Sequence, residues 1–204
     1  MAESQEIENY SSRIYSVYTY AKENWSEKAI NYFWPKIFSS KFTEHGKKYE
    51  QHALNAYKKQ YSLCEVHTVG FVINKRYPWF GYSPDGIIFE NGKPIKLLEI
   101  KCPYSGKENS APKILEECNY LERRGDMWLL KRKHLYYGQV QFGMALLNVK
   151  KTDFVIYASA TNTFSIIMVE FDEEFARSLI LKSNEMYFKN MIHCYCLNKN
   201  EFEN

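Results

Sequence analysis

The chain has 204 residues, 45% of them hydrophobic and 17% aromatic, which is enough to bury the core of one ordinary domain. A net charge of +3 is weak support for a polyanionic partner, because the placement of charge matters more than its sum. Five cysteines without a framework spacing exclude a disulfide scaffold and predict an intracellular, reducing location. The acidic first segment excludes a secretory signal, and the absence of an apolar run of about 20 residues excludes a membrane span.

Residues 1–62 are predicted to form an N-terminal helical part. The clearest helix covers 44–61, where aromatic and small apolar residues recur at three- and four-residue spacing. The pattern changes to that of a strand over 66–73, and a bend is expected at 77–80. The catalytic core is therefore expected to begin near residue 63.

Two further strands are predicted at 86–89 and 95–100, on either side of Asn91–Gly92. An Asn-Gly pair between two apolar runs is the strongest short signal for a β-hairpin. The following segment, 103–126, is polar and is expected to be mobile, with a short helix near 114–121.

The rest of the chain predicts a helix over 134–148, strands over 154–159 and 164–169, and an amphipathic helix over 172–188. This order of elements favours one domain over 1–204 with its core at 63–190. The expected fold class is α/β, an α+β sandwich with one central sheet.

Acidic and basic residues meet in the predicted hairpin. Asp85 begins the first strand, and Glu99 and Lys101 are two residues apart on the second. Strand side chains alternate between faces, so Glu99 and Lys101 point the same way and Ile100 points into the core. Two carboxylates and an ammonium at one place can hold a hard cation such as Mg²⁺ and set a lysine beside a phosphate.

A simpler interpretation stands beside this one. Ser-Pro-Asp-Gly is good turn chemistry, and Glu99 and Lys101 taken singly could be solvated strand residues. Burying unpaired charge is expensive, however, so an acid and a lysine on one face of an apolar strand need a reason. A metal is the simplest one.

Four short blocks of sequence follow one another along the chain, at 46–53, 83–86, 98–103 and 136–144. The middle two, Ser-Pro-Asp-Gly and Leu-Glu-Ile-Lys-Cys-Pro, resemble the PD-(D/E)XK nuclease signature, and more narrowly the lambda-exonuclease and YqaJ-type viral recombinase family. The first block resembles the upstream helix of that family, and the last resembles its Gln-Val-Gln helix. The resemblance covers 44–148 and implies a restriction-endonuclease-like core with a central mixed sheet flanked by helices.

The resemblance also implies roles for individual residues. Asp85 and Glu99 would be the principal ligands of Mg²⁺, for which Mn²⁺ could substitute, with the Ile100 carbonyl as a further ligand. Glu50 would complete the metal sphere or bridge to it through water. Lys101 would orient or activate the attacking water and stabilise charge on the phosphate, and Gln141 would position that water or a phosphate oxygen.

DNA contacts are expected from Ser83 and Gln139, although a structural role for Gln139 is at least as well supported. The polar segment and the residues after it carry a cluster of basic side chains that either contact phosphates or form a solvated surface: Lys107, Lys113, Arg123, Arg124, Lys131, Arg132 and Lys133. Tyr104, Tyr120 and Trp128 could stack on bases or pack in the core. Arg13 and Ser16 are candidates for holding a 5′ phosphate, but the arginine-to-Thr-Ala-Ser spacing of the family is absent.

The resemblance implies a metal-dependent deoxyribonuclease, and most closely a 5′-to-3′ exonuclease that acts on double-stranded DNA with a free end, for recombination, repair or viral genome processing. A single-strand annealing protein and a homo-oligomeric ring are the partners it implies. Two alternatives are an endonuclease or RNase on the same fold and a non-catalytic protein that binds nucleic acid or a recombination partner. No membrane partner is expected.

Overall fold

The computed structural model describes residues 13–36 and 38–202. The part of the predicted helical region before Arg13 lies outside the described residues. Residues 13–18 are helical, and six longer or better-defined helices follow: α1 (Trp25–Phe33), α2 (Lys41–Gln60), α3 (Ala111–Glu117), α4 (Leu135–Leu147), α5 (Glu173–Met186) and α6 (Ile192–Phe202). None of the helices in these ranges is long and apolar enough to cross a membrane.

The strands in chain order are β1 (Glu65–His67), β2 (Val72–Ile73), β3 (Gly81–Tyr82), β4 (Gly86–Glu90), β5 (Lys93–Lys101), β6 (Leu121–Arg124), β7 (Met127–Leu130), β8 (Lys151–Ala158) and β9 (Thr163–Glu170). Five of them form the central sheet in the order β1-β4-β5-β8-β9. The β5–β8 pair is parallel and its neighbours are antiparallel, so the sheet is mixed. The predicted fold class, a mixed sheet flanked by helices, is confirmed.

The central strand β5 separates two hydrophobic cores. Leu97 faces the larger core, which includes Phe142 of α4, whereas Leu98 and Ile100 face the smaller core, which includes Leu54 of α2. This is the alternation of side chains that a strand imposes. Glu99 and Lys101 therefore share the α4 side of the sheet, as the sequence predicts.

The predicted hairpin between β4 and β5 is confirmed. Asn91 and Gly92 both have positive φ, at 51° and 73°. That conformation belongs to the tight two-residue turns that match the twist of paired strands, and Asn and Gly are the residues that adopt it most readily. The turn pairs Glu90 with Lys93, and an irregularity between Ile88 and Phe89 then shifts the register by one residue, so that Gly86 pairs with Leu98.

α2 begins with a capping box. The Ser40 side chain accepts a hydrogen bond from Thr43 N–H, and the Thr43 hydroxyl accepts one from Ser40 N–H. These bonds satisfy donors that the first turn of a helix leaves free. The buried face of α2, with Leu54 and Tyr57, then lies against the sheet and brings Glu50 to its edge.

Two expectations about the chain between the main elements need correction, one on a strand and one on the bounds of a short helix. The strand predicted over 66–73 is two short strands, because the chain leaves the central sheet after His67 and β2 pairs with β3 in a separate small sheet. The helix expected at 114–121 is Ala111–Glu117, and the polar segment continues into a β6–β7 hairpin. Gly125, with φ of 61°, supplies the turn of that hairpin.

Candidate active site

The candidate site lies where β4 and β5 separate. Their regular pairing ends at Gly86 and Leu98. One residue further along, the Asp85 carboxylate accepts a hydrogen bond from the backbone N–H of Ile100. The aspartate thus replaces the next backbone partner in the ladder, which holds its side chain beside the end of β5.

Glu99 is a buried carboxylate, with only 1% of its surface exposed. Its Oε1 accepts hydrogen bonds from Lys101 Nζ at 2.6 Å and from the Gln139 side-chain amide at 2.8 Å. Its Oε2 accepts a hydrogen bond from Tyr82 Oη at 2.9 Å. Three donors therefore offset the cost of removing this charge from water.

The two carboxylates repel each other through this buried region. Burial and the charge of Glu99 raise the pKa of Asp85 well above its usual range, and Glu50 adds to this effect. The ammonium of Lys101 and the Ile100 N–H act in the opposite direction without cancelling it. A positive charge placed between Asp85 and Glu99 would relieve this repulsion.

Lys101 remains a cation. Burial alone would lower the pKa of its ammonium, but Glu99 and Asp85 outweigh that effect and raise the pKa above its usual value. The ammonium also lies 4.7 Å from the centroid of the Tyr136 ring. Lys101 is thus suited to donating hydrogen bonds to negative oxygens, and poorly suited to accepting a proton.

Cys102 points to the opposite face of β5, among the residues of the smaller core. Burial, with the nearby carboxylates Glu50 and Asp85, raises the pKa of its thiol to about 12. A thiol that stays protonated is a poor ligand for a metal and a poor nucleophile. The donor set at the site is therefore one of oxygens.

A cavity of about 330 Å³ opens in front of these groups, and Glu50, Ser83, Asp85, Glu99, Lys101 and Gln139 all line it. Glu50 reaches the cavity from α2 on the other side of the sheet, and it is exposed. Within the described ranges, no three His, Cys, Asp or Glu side chains stand together as a metal-binding cluster. Asp85 and Glu99 are thus a pair, with Glu50 across the cavity.

Hard oxygen donors of this kind fit Mg²⁺ or Mn²⁺ better than zinc, which usually takes nitrogen and sulfur ligands in proteins. The groups that would hold such an ion are the carboxylates of Asp85 and Glu99 and the backbone carbonyl of Ile100. Glu50 lines the same cavity and would complete the metal sphere or bridge to it through water.

Of the two glutamines of α4, Gln139 and not Gln141 faces the candidate site. Gln141 is fully buried, but its amide donates to the Glu170 carbonyl and its oxygen accepts from Asp172 N–H. The expectation that Gln141 faces the site is therefore wrong: it ties α4 to the segment between β9 and α5. At the site it is Gln139 that contacts a carboxylate, through a hydrogen bond from its side-chain amide to Glu99.

Of the residues expected to contact DNA, Ser83 and Gln139 line the site cavity. Arg13 and Ser16 do not line it: the Arg13 guanidinium bonds the Tyr32 carbonyl, and the Ser16 hydroxyl bonds the Arg13 carbonyl and accepts from Lys28. Their predicted role at a 5′ phosphate remains a prediction.

The expected basic cluster is spread over several elements. Lys107 is exposed in the short helical turn Tyr104–Lys107. Arg123 and Arg124 lie on β6, where Asp126 and Glu122 respectively neutralise them. Lys131 donates to the Asn119 carbonyl. Ion pairs this exposed stabilise little, so the arginines stay available to phosphates.

A second, larger groove of about 850 Å³ begins on the other side of Lys101. Phe42, Lys47, Tyr104, Tyr120 and Tyr136 line it, and Glu50 and Lys101 belong to both spaces. Phe42 is 58% exposed although it is apolar. Phe42 and Tyr136 are site residues that the sequence did not indicate, because only the packing of α2 and α4 against β5 brings them together.

Comparison with known proteins places this site in a family. A family model described as the YqaJ-like viral recombinase domain matches residues 11–153, which contain Asp85, Glu99, Lys101 and Gln139. The chain belongs to this family. The recognition of a YqaJ-type recombinase from four sequence blocks is thereby confirmed.

The YqaJ-like domain also has the fold of solved exonucleases. It is similar to LHK-Exo in complex with dAMP, with a TM-score of 0.70 and 19% identity over 98% of each chain. It is similar to the alkaline exonuclease LHK-Exo from Laribacter hongkongensis, with a TM-score of 0.67 and 19% identity over 94% of this chain and 91% of the other.

A phage-related exonuclease from Haemophilus somnus 129PT matches with a TM-score of 0.57 and 13% identity, over 94% of this chain and 95% of the other. At these identities the likeness establishes the fold. A search of curated proteins found no match.

Proposed function

We propose that this YqaJ-like domain is a metal-dependent deoxyribonuclease that degrades double-stranded DNA from a free 5′ end. The observation that carries the proposal is the ion pair of buried Glu99 with partly buried Lys101, beside Asp85 at the wall of an open cavity. Family membership and the exonuclease fold support the same chemistry.

The residues of the chain divide the work of phosphodiester hydrolysis between them. Lys101 stays protonated and would donate to a non-bridging phosphate oxygen, where negative charge increases in the transition state. Gln139 would keep Glu99 oriented through its amide. A Mg²⁺ or Mn²⁺ ion held by Asp85, Glu99 and the Ile100 carbonyl would supply charge neutralisation and lower the pKa of a bound water.

The choice of DNA rests on the relatives. One similar structure contains dAMP, a deoxynucleoside monophosphate, which is what an exonuclease releases from DNA. The 5′-to-3′ direction follows from the lambda-exonuclease resemblance, and Arg13, Ser16 and Ser83 are the candidates for holding the 5′ phosphate. A single-strand annealing protein and a ring of copies of this chain are partners that the same resemblance suggests.

The test is a comparison of substrates with one preparation of the full chain. Linear 5′-phosphorylated DNA, 5′-hydroxyl DNA, covalently closed circular DNA and RNA are incubated with Mg²⁺, Mn²⁺, Ca²⁺ or EDTA. We expect mononucleotides from linear DNA with Mg²⁺ or Mn²⁺, fastest with a 5′ phosphate, and intact closed circles. Cleavage of closed circles would support an endonuclease instead, and turnover only on RNA would support a ribonuclease.

Variants connect the activity to the site. Glu99→Ala and Lys101→Ala are expected to abolish turnover, whereas Lys93→Ala, which removes an exposed lysine from the same strand, should leave it intact. Full Mg²⁺-dependent activity in either site variant would refute the proposed mechanism. A wild-type protein that binds DNA and cleaves none of the substrates would identify a non-catalytic binding protein.

A further inference from the structure

Tyr82 is a completely buried tyrosine that no part of the proposed mechanism uses. It lies on β3, three residues before Asp85, and its ring packs in the larger core beside Phe142. Its hydroxyl donates to Glu99 Oε2 at 2.9 Å. A buried tyrosine hydroxyl needs a partner, but here the partner is one of the two carboxylates of the candidate active site.

The hydrogen bonds to Glu99 are unevenly divided between its two oxygens. Oε1 accepts hydrogen bonds from Lys101 and Gln139, and Oε2 accepts one from Tyr82. A carboxylate offers about four acceptor positions, so the position that these donors leave open is on Oε2. The last torsion of a glutamate is broad, and donors on Oε1 alone would let the carboxylate plane turn about it.

The absence of a side chain at Gly143 of α4 leaves space for the Tyr82 ring. A Cβ atom at Gly143 would lie 2.5 Å from Tyr82 Cζ and 2.7 Å from its Cε1, which is too close for any side chain. Gly143 and Gln139 are four residues apart, so they share a face of the helix. One helix face therefore supplies both a donor to Glu99 Oε1 and the space for the ring that reaches Oε2.

We propose that Tyr82 is a positioning residue for hydrolysis, whose hydroxyl holds Glu99 Oε2 so that its remaining acceptor position faces the cavity lined by Asp85. This inference rests on the proposed function and deepens it, because it names the side chain that sets the orientation of a metal-binding carboxylate. Groups that hold metal ligands in this way commonly change metal affinity or activity about 10- to 100-fold when they are removed.

The decisive variant is Tyr82→Phe, which keeps the ring and removes only the hydroxyl. The chain offers a matched control in Tyr57→Phe. Tyr57 is also buried, and its hydroxyl donates at 2.6 Å to Asp153 Oδ2, a carboxylate outside the site cavity. Both variants therefore remove one buried hydrogen bond from tyrosine to a carboxylate, and only one of those carboxylates is Glu99.

Three quantities are measured for each full-length protein: the dissociation constant of Mn²⁺ by calorimetry, kcat and KM on 5′-phosphorylated linear DNA, and the urea midpoint of unfolding. Tyr82→Phe is expected to weaken Mn²⁺ binding and lower kcat, each by about 10-fold or more, with KM little changed. Tyr57→Phe is expected to lower the urea midpoint while Mn²⁺ binding and kcat stay at wild-type values.

Gly143→Ala tests the same contact without removing a polar atom. The added methyl group is expected to displace the ring and weaken Mn²⁺ binding, and this effect should disappear in the Tyr82→Phe background, because the hydroxyl is already absent. Wild-type Mn²⁺ binding and kcat in Tyr82→Phe would overturn the inference, and so would equal losses in Tyr82→Phe and Tyr57→Phe. A wild-type protein that neither binds Mn²⁺ nor cleaves DNA would overturn the proposed function as well.

Discussion

The Gln139 side-chain amide donates a hydrogen bond of 2.8 Å to Glu99 Oε1, joining α4 to the central strand across 40 positions of sequence. Lys101 Nζ bonds the same oxygen at 2.6 Å. The two donors lie on different elements, so the position of this oxygen depends on how α4 packs against β5. Glu99 is thus held by tertiary structure as well as by its own strand.

We predict that Gln139→Ala lowers kcat of the folded protein by about 10- to 100-fold, because it removes a donor that orients Glu99. The measurement is steady-state cleavage of linear DNA beside urea unfolding. Gln139→Glu is the companion variant: a second carboxylate against Glu99 should lower activity further. Unchanged kcat in Gln139→Ala would contradict an orienting role.

Gln141→Ala is expected to behave in the opposite way. Its amide satisfies the Glu170 carbonyl and Asp172 N–H, so truncation removes two partly buried hydrogen bonds and should lower the free energy of unfolding by about 1–3 kcal/mol. The folded fraction should retain wild-type kcat per active molecule. A selective loss of kcat at unchanged stability would restore Gln141 to the site.

Which of the two glutamines faces the site is not determined by the local sequence. The Asp85, Glu99 and Lys101 cluster could be predicted because strand alternation puts Glu99 and Lys101 on one face and the Asn91–Gly92 turn brings β4 and β5 together. Residues two apart on a helix point in different directions, and which one meets the sheet depends on the rotation of the helix. That rotation is decided by packing, which periodicity in a nearly all-apolar helix does not reveal.

The contact of Tyr82 with Glu99 is not readable from the sequence for a related reason. The strand of Tyr82, β3, has two residues and pairs only with β2 among the described strands, in a small sheet separate from the central one. Local sequence carries no signal for so short a pairing. Tyr82 contacts Glu99 only because the chain leaves the central sheet at residues 68–71 and folds back.

A third prediction concerns the ring beside Lys101. The ammonium lies 4.7 Å from the centroid of Tyr136, a cation–π contact that stabilises the cation by about 0.5–2 kcal/mol. Lys101 stays protonated without this ring, so the contact matters for where the ammonium lies. Tyr136→Leu removes the face that holds the ammonium and should lower kcat by up to about 30-fold, the rate equivalent of about 2 kcal/mol, whereas Tyr136→Phe, which keeps the π face, should stay close to wild type. Equal losses in both variants would assign the effect to the hydroxyl instead.

A fourth prediction concerns the groove of about 850 Å³ beside Lys101. Lys47 is exposed on its wall, so it can contact a phosphate of a strand that continues past the site. Lys47→Ala should weaken DNA binding and reduce the slope of log K against log salt by about 0.9, the value for one phosphate contact on duplex DNA.

Fluorescence anisotropy in EDTA, which prevents turnover, measures this slope over a range of salt concentrations. Lys93→Ala removes an exposed lysine at the start of β5, outside the groove, and should leave the slope unchanged. If the two variants shift the slope equally, the groove has no special part in binding and the effect is one of overall charge.

The last prediction concerns Asp85 and the pH dependence of stability without metal. Burial and Glu99 raise the pKa of Asp85, so between the ordinary carboxyl value of about 4 and the native value the folded protein binds more protons than the unfolded chain. The free energy of unfolding should therefore rise as pH falls through the native pKa of Asp85, by up to about 1.4 kcal/mol per pH unit. That stability is complete below the unfolded pKa and is lost as pH rises through the native one.

Urea unfolding in EDTA across this range measures the effect, and Asp85→Asn isolates it, because an amide keeps an acceptor for Ile100 N–H without the charge. The difference between wild type and Asp85→Asn should narrow as the solution is acidified. At neutral pH, Mg²⁺ should raise the urea midpoint of the wild type by mass action and leave Asp85→Asn unaffected, because the repelling pair that the cation would neutralise is gone. Parallel pH curves for the two proteins would mean that Asp85 and Glu99 do not share one electrostatic site.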